Sequence, residues 1–203
     1  MSGTLFIPPS FVRIKNNQLK KIVLIFSLIL GAILCVNMFI MVNMFYGNQD
    51  FKTNDVVGYA ALVVVFSLIF FAVRNYRNKH LNGFISFGKA FKTGILVAFL
   101  ASTLYVVVWL FYYYLFVPDF LDKYIAYVLK RAPEAQLAAK TKEMESFREM
   151  YKSPFFVIII TYSEIFPIGL IVSLVSALIL KRKKKTESIK QKYSHESKTG
   201  TAG

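Results

Sequence analysis

The sequence predicts an all-α integral membrane protein with four transmembrane helices, and three observations lead to this fold class. Of the 203 residues, 56% are hydrophobic and the mean hydropathy is +0.50, values typical of membrane proteins. The apolar residues form four long runs instead of being spread along the chain. The net charge of +14 comes largely from Lys and Arg at the ends of those runs, where such residues orient a membrane protein.

A transmembrane domain is predicted over residues 19–184, between a flexible cytoplasmic leader (1–18) and a disordered cytoplasmic tail (185–203). The first span, residues 22–45, is uncharged and longer than the ~20 residues needed to cross the hydrocarbon core. It exceeds the apolar region of a signal peptide and lacks a small-x-small cleavage site, so we expect it to be retained. Three further spans are predicted over residues 56–73, 93–117 and 155–180.

The stretch between the second and third spans sets the predicted orientation. It contains no carboxylate and five cations, which are Arg74, Arg77, Lys79, Lys89 and Lys92. Such an excess marks the cytoplasmic side, so both termini are predicted to be cytoplasmic. Asn82–Gly83 predicts a turn, and Phe84, Phe87 and Phe91 then recur at helical spacing. We expect a short amphipathic helix there, whose cations either contact anionic lipid headgroups or serve only as a topology anchor.

The longest loop, residues 118–154, is predicted to be an extracytoplasmic helical hairpin between the third and fourth spans. It holds seven Lys or Arg and six Asp or Glu, a nearly balanced set that suits a solvated helical surface. Ala132–Pro133 interrupts the helical pattern, which predicts two amphipathic helices joined there. The preceding span ends in an aromatic belt typical of a membrane–water interface: Trp109, Phe111, Tyr112, Tyr113, Tyr114 and Phe116.

Small residues recur every four positions in three of the spans, which puts them on one helix face and allows close approach of another helix. These helix-packing faces are Ser27, Gly31 and Cys35, then Gly94, Ala98 and Ser102, then Gly169, Ser173 and Ala177. In the favoured functional hypothesis, the faces bind other membrane components or a second copy of the chain.

Glu164 is the only carboxylate within an apolar span and is therefore a candidate functional residue. It precedes Lys181 by 17 positions, or ~25 Å along a helix, in the outer third of a core ~30 Å thick. The same counting predicts an intramembrane polar layer that consists of Glu164, Asn37, Tyr59 and Trp109. Three interpretations stay open: a buried carboxyl that pins the bundle, a carboxylate that reaches the outer surface, or a proton- or cation-handling group. Pro167, one turn later, predicts a kink.

The sequence contains no recognisable catalytic, metal or cofactor motif. Neither His80 nor His195 has a Cys, Asp or Glu at ligand spacing, and the single cysteine, Cys35, excludes a disulfide framework. No nucleophile motif, phosphate loop or nucleotide fingerprint occurs. We therefore expect no enzyme activity, no cofactor and no metal. We also expect no nucleic-acid partner, because membrane orientation explains the cations.

Several segments form a family pattern: FFAVRNYRNKHLNGFISFGKAFKTGILVAFLASTLYVVVW, YYY, PDF, KSPFF and PIGLIVSLVSALILKRKK. The most specific piece is ISFGKAFKTG, with KHLNG before it. Over roughly residues 20–184 the chain closely resembles a bacterial membrane family known as domain of unknown function 4199. The resemblance implies four transmembrane helices and carries no assigned activity or site residue.

Three functional hypotheses follow for a multi-pass protein of the bacterial cytoplasmic (inner) membrane. The favoured one is a structural or accessory protein that binds the bilayer and either another membrane protein or itself. The alternative is a small proton-coupled transporter or channel with Glu164 as its titrating group, which needs a homo-oligomer because four helices are few to enclose a pathway. The third is a lipid or envelope-stress sensor that uses the hairpin and the basic stretch.

Overall fold

The structure is a computed structural model that describes residues 9–47 and 55–182, with side chains from residues 17–47 and 58–182. Its elements are α1 (Pro9–Gly47), α2 (Asp55–Phe66), α3 (Leu68–His80), α4 (Phe87–Phe116), α5 (Phe120–Arg131), a 3-10 turn (Glu134–Gln136), α6 (Leu137–Tyr151) and α7 (Pro154–Leu180). Four stretches are long and apolar enough to cross a membrane: Asn17–Gly47, Gly58–His80, Phe87–Phe116 and Pro154–Leu180. The chain is therefore an all-helical multi-pass membrane protein over the part that the structure describes.

The helices differ from the predicted elements at their charged ends. α1 begins at Pro9 and so includes residues 9–18, for which the sequence pattern predicts a flexible leader. The second spanning helix continues to His80, with Arg74 and Lys79 on its last turns. Lys and Arg are good helix formers, and their long stems carry the charge away from the lipid, so they do not end a helix. Residues 1–8, 48–54 and the predicted tail from residue 183 lie outside the described residues.

The prediction of a separate amphipathic helix around residues 84–91 is wrong. α4 begins at Phe87 and continues without a break to Phe116, so Phe87 and Phe91 lie on the first two turns of a spanning helix. Their rings stack with centroids 5.7 Å apart, as expected for residues at i and i+4. The periodic aromatic pattern was real, but it marks the start of the third span.

Close contacts between small residues establish how the spanning helices pack. The Ser27 hydroxyl of α1 donates to the Val97 carbonyl of α4 at 3.2 Å, and Gly31 of α1 faces Leu104 of α4, so the two helices run in the same direction. α7 runs against α4, because Gly94 faces Ser173 and Ala98 faces Gly169. The hydrophobic core of the bundle lies along these contacts.

α2 and α3 form one spanning unit with a break at Ser67. The Ser67 hydroxyl donates to the Val64 carbonyl at 2.6 Å, a side-chain bond that competes with the regular helical pattern. Phe66, fully buried, packs beside the break against Gly169 of α7. α7 itself remains one helix through Pro167. The lack of a side chain at Gly169 thus accommodates the ring of the neighbouring helix.

The turn between α3 and α4 is fixed to the end of α7. Asn82 and Gly83 have positive φ values of 53° and 80°, as the Asn-Gly signal predicts. Ile85 and Arg182 exchange two backbone hydrogen bonds of 3.1 and 2.8 Å. Arg77 Nη1 also donates to the Leu180 carbonyl at 3.3 Å, which satisfies one acceptor at the end of α7. We call this side of the bundle the basic end, after Lys20, Lys21, Arg74, Lys79, Lys89, Lys92, Lys181 and Arg182.

The opposite side of the bundle, the hairpin end, carries α5 and α6. The two helices are separated at Ala132–Pro133, where the sequence predicted a break. Leu121 and Ile125 of α5 are buried together with Met144 of α6. The same cluster contains residues from the hairpin ends of α1, α4 and α7. An exposed ion pair of 2.7 Å joins Arg148 to Asp122 across the hairpin. The hairpin therefore packs against the spanning helices and forms a second hydrophobic cluster with their ends.

Candidate functional site

All nine residues of the predicted helix-packing faces are buried inside the chain. A Cβ added to Gly94 would lie 2.8 Å from Ser173 Cβ, and one added to Gly169 would lie 2.8 Å from Ala98 Cβ. Binding of a partner through these faces would require the four helices to separate. In the structure, helices of the same chain occupy these close-approach surfaces, and the expectation that the faces bind other membrane components stays a prediction.

A cavity of about 310 Å³ lies where the small-residue contacts end, toward the hairpin end. α1 and α7 both pack on α4 and scarcely touch one another. Beyond Ser102 the side chains of α4 become large, and Tyr105 and Trp109 replace the small residues that allow close approach. Residues of α5 and α6 complete the wall of the cavity there. The cavity therefore lies next to the end of the small-residue repeat of α4.

Aromatic side chains from three helices form most of the cavity wall. They are Tyr105 and Trp109 of α4, Phe120 and Tyr124 of α5, and Phe147 and Tyr151 of α6. Neighbouring rings are in contact, with centroid distances of 5.2 Å for Trp109–Phe120, 6.2 Å for Phe120–Tyr124 and 4.7 Å for Phe147–Tyr151. Met38, Met41 and Val42 of α1 complete the apolar part.

Glu164 is the only Asp, Glu, Lys, Arg or His among the described residues that line the cavity. It lies one turn after Thr161, which lines the same cavity. The Thr161 hydroxyl donates a hydrogen bond to the Val157 carbonyl at 2.7 Å. Glu164 is exposed, and no hydrogen bond or ion pair joins its carboxyl to the described residues. Burial raises the pKa of the Tyr151 phenol, and the negative charge of Glu164 raises it further. Tyr151 is therefore a neutral hydroxyl at pH 7.

The structure brings together two of the four residues of the predicted polar layer. Glu164 and Trp109 line the same cavity, whereas Asn37 and Tyr59 are not among its lining residues. Asn37 is half-buried next to the cavity residue Met38, and Tyr59 is 58% exposed on α2. Counting residues along a helix gives depth only, while a cavity also requires each side chain to point toward the same interior direction.

Sequence reasoning missed the contribution of the hairpin to this site. Tyr105 lies four residues before Trp109, so helical spacing could have placed it on the same face. Phe147 and Tyr151 are also four apart, but nothing local indicates that α6 folds back over α4 and α7. That arrangement depends on contacts between residues distant in the sequence.

A polar clasp fixes the hairpin to the end of α1. The Tyr46 hydroxyl donates to Asp119 Oδ1 at 2.7 Å, and Lys123 Nζ lies 2.8 Å from Asp119 Oδ2. The same ammonium lies 3.8 Å from the centre of the Tyr46 ring, within cation–π range. These contacts join α1, the α4–α5 turn and α5 beside the cavity. The clasp therefore positions the part of α5 that supplies Phe120 and Tyr124.

The clasp predicts a pH dependence of hairpin docking. Hydrogen bonds from Lys123 and Tyr46 lower the pKa of Asp119 below its ordinary value of about 3.9. Because the folded pKa is depressed, the stabilisation is complete above about pH 3.9 and is lost as the pH falls through the lowered pKa. After correction for intrinsic rates, amide exchange in α5 should accelerate at low pH, and Asp119→Asn should exchange rapidly already at pH 7. Glu134→Gln, on the exposed 3-10 turn, is the control, and an unchanged Asp119→Asn would contradict the clasp.

The cations predicted to contact anionic lipid lie together at the basic end. Arg74, Lys79, Lys89 and Lys92 are exposed, whereas Arg77 is half-buried and bonded to the Leu180 carbonyl. All Asp and Glu side chains that the structure describes lie in α7 at Glu164 or in the hairpin region, residues 119–149. The basic end therefore has a uniform positive charge over the described part of the chain, and Arg77 has a structural contact within it.

The comparisons with known proteins address the family but not the activity. No group of three or more His, Cys, Asp or Glu that could hold a metal occurs among the described residues. Neither the search of curated proteins nor that of solved structures found a match. The model of one protein family matches residues 25–182, which include most of the first spanning helix, the other three spanning helices and the hairpin. The chain therefore belongs to the family described as protein of unknown function, DUF4199.

Proposed function

We propose that the chain is a binding protein of a bacterial cytoplasmic membrane, with both termini cytoplasmic and the hairpin on the outer side. Its ligand is a small amphipathic molecule held in the cavity beneath the hairpin. The single observation that carries the function is the cavity itself: about 310 Å³, with mostly aromatic and aliphatic walls and one carboxyl. Small-molecule sites have this combination of an apolar wall and few polar groups.

Two features support the proposed orientation. The basic end has exposed Lys and Arg and no carboxylate among its described side chains, as cytoplasmic loops do. The hairpin end has four ion pairs among the described residues and exposed tyrosines such as Tyr59 and Tyr114, which suits an outer interface. With this orientation the cavity opens near the outer leaflet, from which an amphipathic ligand can enter.

Filling the cavity should prevent binding. Trp109 is the only tryptophan of the chain and lines the cavity, so its fluorescence reports contact with a brominated ligand. We expect 2-(4-bromophenyl)ethanol to quench Trp109 saturably in lipid nanodiscs. Val42→Phe adds volume to the cavity wall and should weaken this binding about fivefold, an overpacking effect of roughly 1 kcal/mol.

The matched control is Val64→Phe, the same change on a residue that is 69% exposed to lipid. It should bind the probe as the unmodified protein does. Equal, non-saturating quenching in all three proteins would mean that the probe reaches Trp109 only by dissolving in the bilayer, and the proposed function would then be wrong.

A proton-coupled transporter is the second candidate, and Glu164 is the observation that favours it. The carboxyl lines the cavity without an ion pair to the described residues, so it is free to exchange a proton for a ligand. Glu164→Gln should abolish ligand-dependent proton flux in liposomes that contain a pH-sensitive dye, while the folded protein remains in the membrane. Full flux in this variant would exclude Glu164 as the coupling group.

A further inference from the structure

We propose that the ligand of the cavity is an organic cation, namely a quaternary or protonated amine that carries a small apolar group. Glu164 neutralises its charge, and the surrounding rings contact its alkyl groups. This inference rests on the proposed binding function, and it adds the chemical class of the ligand. Three observations support it: the lining contains a carboxyl, the aromatic rings form a connected wall, and the nearby cations are paired with other carboxylates.

The charge of the lining selects against anions. Twelve of the described residues line the cavity, and among these Glu164 is the only one with a side chain that can be charged at neutral pH. An anion would meet the like charge of Glu164, whereas a cation would supply the missing counter-charge. A neutral ligand would leave the carboxylate without a partner, as it is in the described structure, so it gains nothing from the charge.

Among the described residues, no cation forms an ion pair with Glu164. The ion pairs nearest in sequence to the cavity residues join Lys123 to Asp119 and Arg148 to Asp122. The other two described pairs, Lys140–Glu143 and Lys152–Glu149, also lie within the hairpin region. Each of these four cations is paired to a carboxylate other than Glu164. In the described part of the chain, Glu164 therefore has no counter-charge, and an incoming ligand can supply one.

The aromatic wall matches the other half of an amine ligand. The rings of Trp109, Phe120, Tyr124, Phe147 and Tyr151 form a connected surface with neighbouring centroids 4.7–6.4 Å apart. Ring faces attract cations, most strongly for Trp and Tyr, and aromatic walls combined with a carboxylate recognise quaternary ammonium groups. The methionines of α1 add a polarisable surface that adapts to the apolar part of a ligand.

A pair of probes that differ only in charge tests the proposal. The cation is (4-bromobenzyl)trimethylammonium, and the neutral probe is 1-bromo-4-(2,2-dimethylpropyl)benzene, in which carbon replaces the nitrogen. Both are titrated against nanodisc-embedded protein, with quenching of Trp109 as the readout. In Glu164→Gln, an isosteric change, affinity for the cation should fall about tenfold, and affinity for the neutral probe should stay within about twofold.

A second variant separates the aromatic wall from the charge. Phe147→Leu keeps an apolar side chain but removes a ring, so it should weaken cation binding about threefold and leave the neutral probe within about twofold. Retained quenching by the neutral probe in both variants also shows that each protein is folded and its cavity is open.

The remaining outcomes would overturn the inference in distinguishable ways. If Glu164→Gln leaves cation affinity unchanged, the ligand class is wrong and the binding function stands. If the affinities for both probes fall equally, the carboxyl maintains the shape of the cavity and does not select charge. If neither probe quenches Trp109 saturably in the unmodified protein, the proposed binding function fails together with the inference.

Discussion

Gly94→Leu should abolish the folded bundle, whereas Gly58→Leu should leave it intact. At Gly94, even a single Cβ would lie 2.8 Å from Ser173 Cβ and 3.1 Å from Ile69 Cγ2, distances that force a shift of neighbouring atoms. Ser173 Cβ is attached directly to the backbone of α7 and cannot rotate away. At Gly58, on α2, nothing lies within 4 Å of the added atom.

The size of the effect follows from how many helices must move. Overpacking by one methyl group at a rigid contact costs about 1–3 kcal/mol, a large part of a total stability of about 5–15 kcal/mol. Leucine adds three further carbons between α4, α3 and α7, so those helices must separate. Gly31→Ala should be milder, because the nearest atom is Leu104 Cδ2 at 2.7 Å, at the end of a side chain that can change rotamer.

The prediction is measured by unfolding in mixed micelles of increasing dodecyl sulfate fraction, with helical circular dichroism and Trp109 fluorescence as readouts. The expected order of stability is Gly58→Leu, then Gly31→Ala, then Gly169→Ala and Gly94→Ala, with no folded Gly94→Leu. A stable Gly94→Leu protein would show that α4 and α7 do not pack as closely as the structure has them. An equal loss in Gly58→Leu would indicate a general defect of membrane insertion.

The spanning helices were predictable because one physical constraint, the thickness of the bilayer, acts on each of them locally. The ends of the helices were less predictable from the sequence. Arg74 and Lys79 look like loop residues in a hydropathy plot, yet they belong to α3, because their long side chains can reach water from a helix. Asn82–Gly83 located the intervening turn correctly, because positive φ is a property of the residues themselves.

The candidate site was predictable in depth but not in direction. Counting from the basic end brought Trp109 and Glu164 to one level, and they do share the cavity. The same count included Tyr59, which the structure exposes on α2. Direction is set by which helices touch, and that depends on pairs such as Gly94 with Ser173, 79 positions apart. The role of Phe147 and Tyr151 as part of the cavity wall depends on the same kind of distant contact.

Labelling of single cysteines should show that the hairpin end and the basic end are accessible from opposite sides of the membrane. Cys35 is the only cysteine and is buried in the packing of α1, so Cys35→Ala gives a background without reactive thiols. Leu137→Cys places a thiol at an exposed position on α6, and Ser86→Cys is an almost isosteric change at the exposed residue before α4. In intact cells a membrane-impermeant maleimide should label Leu137→Cys fully and Ser86→Cys only after the membrane is permeabilised.

The expected result follows from the energetics of the cations at each end. Moving the basic end across the membrane would transfer at least six exposed cations, and no carboxylate among the described side chains of that end compensates them. The six cations are Arg74, Lys79, Lys89, Lys92, Lys181 and Arg182. The hairpin can be translocated more easily, since its charges nearly cancel and four of its cations are ion-paired. Labelling of Ser86→Cys in intact cells with protection of Leu137→Cys would reverse the orientation. The cavity would then open toward the cytoplasmic leaflet, and its ligand would have to be a cytoplasmic molecule.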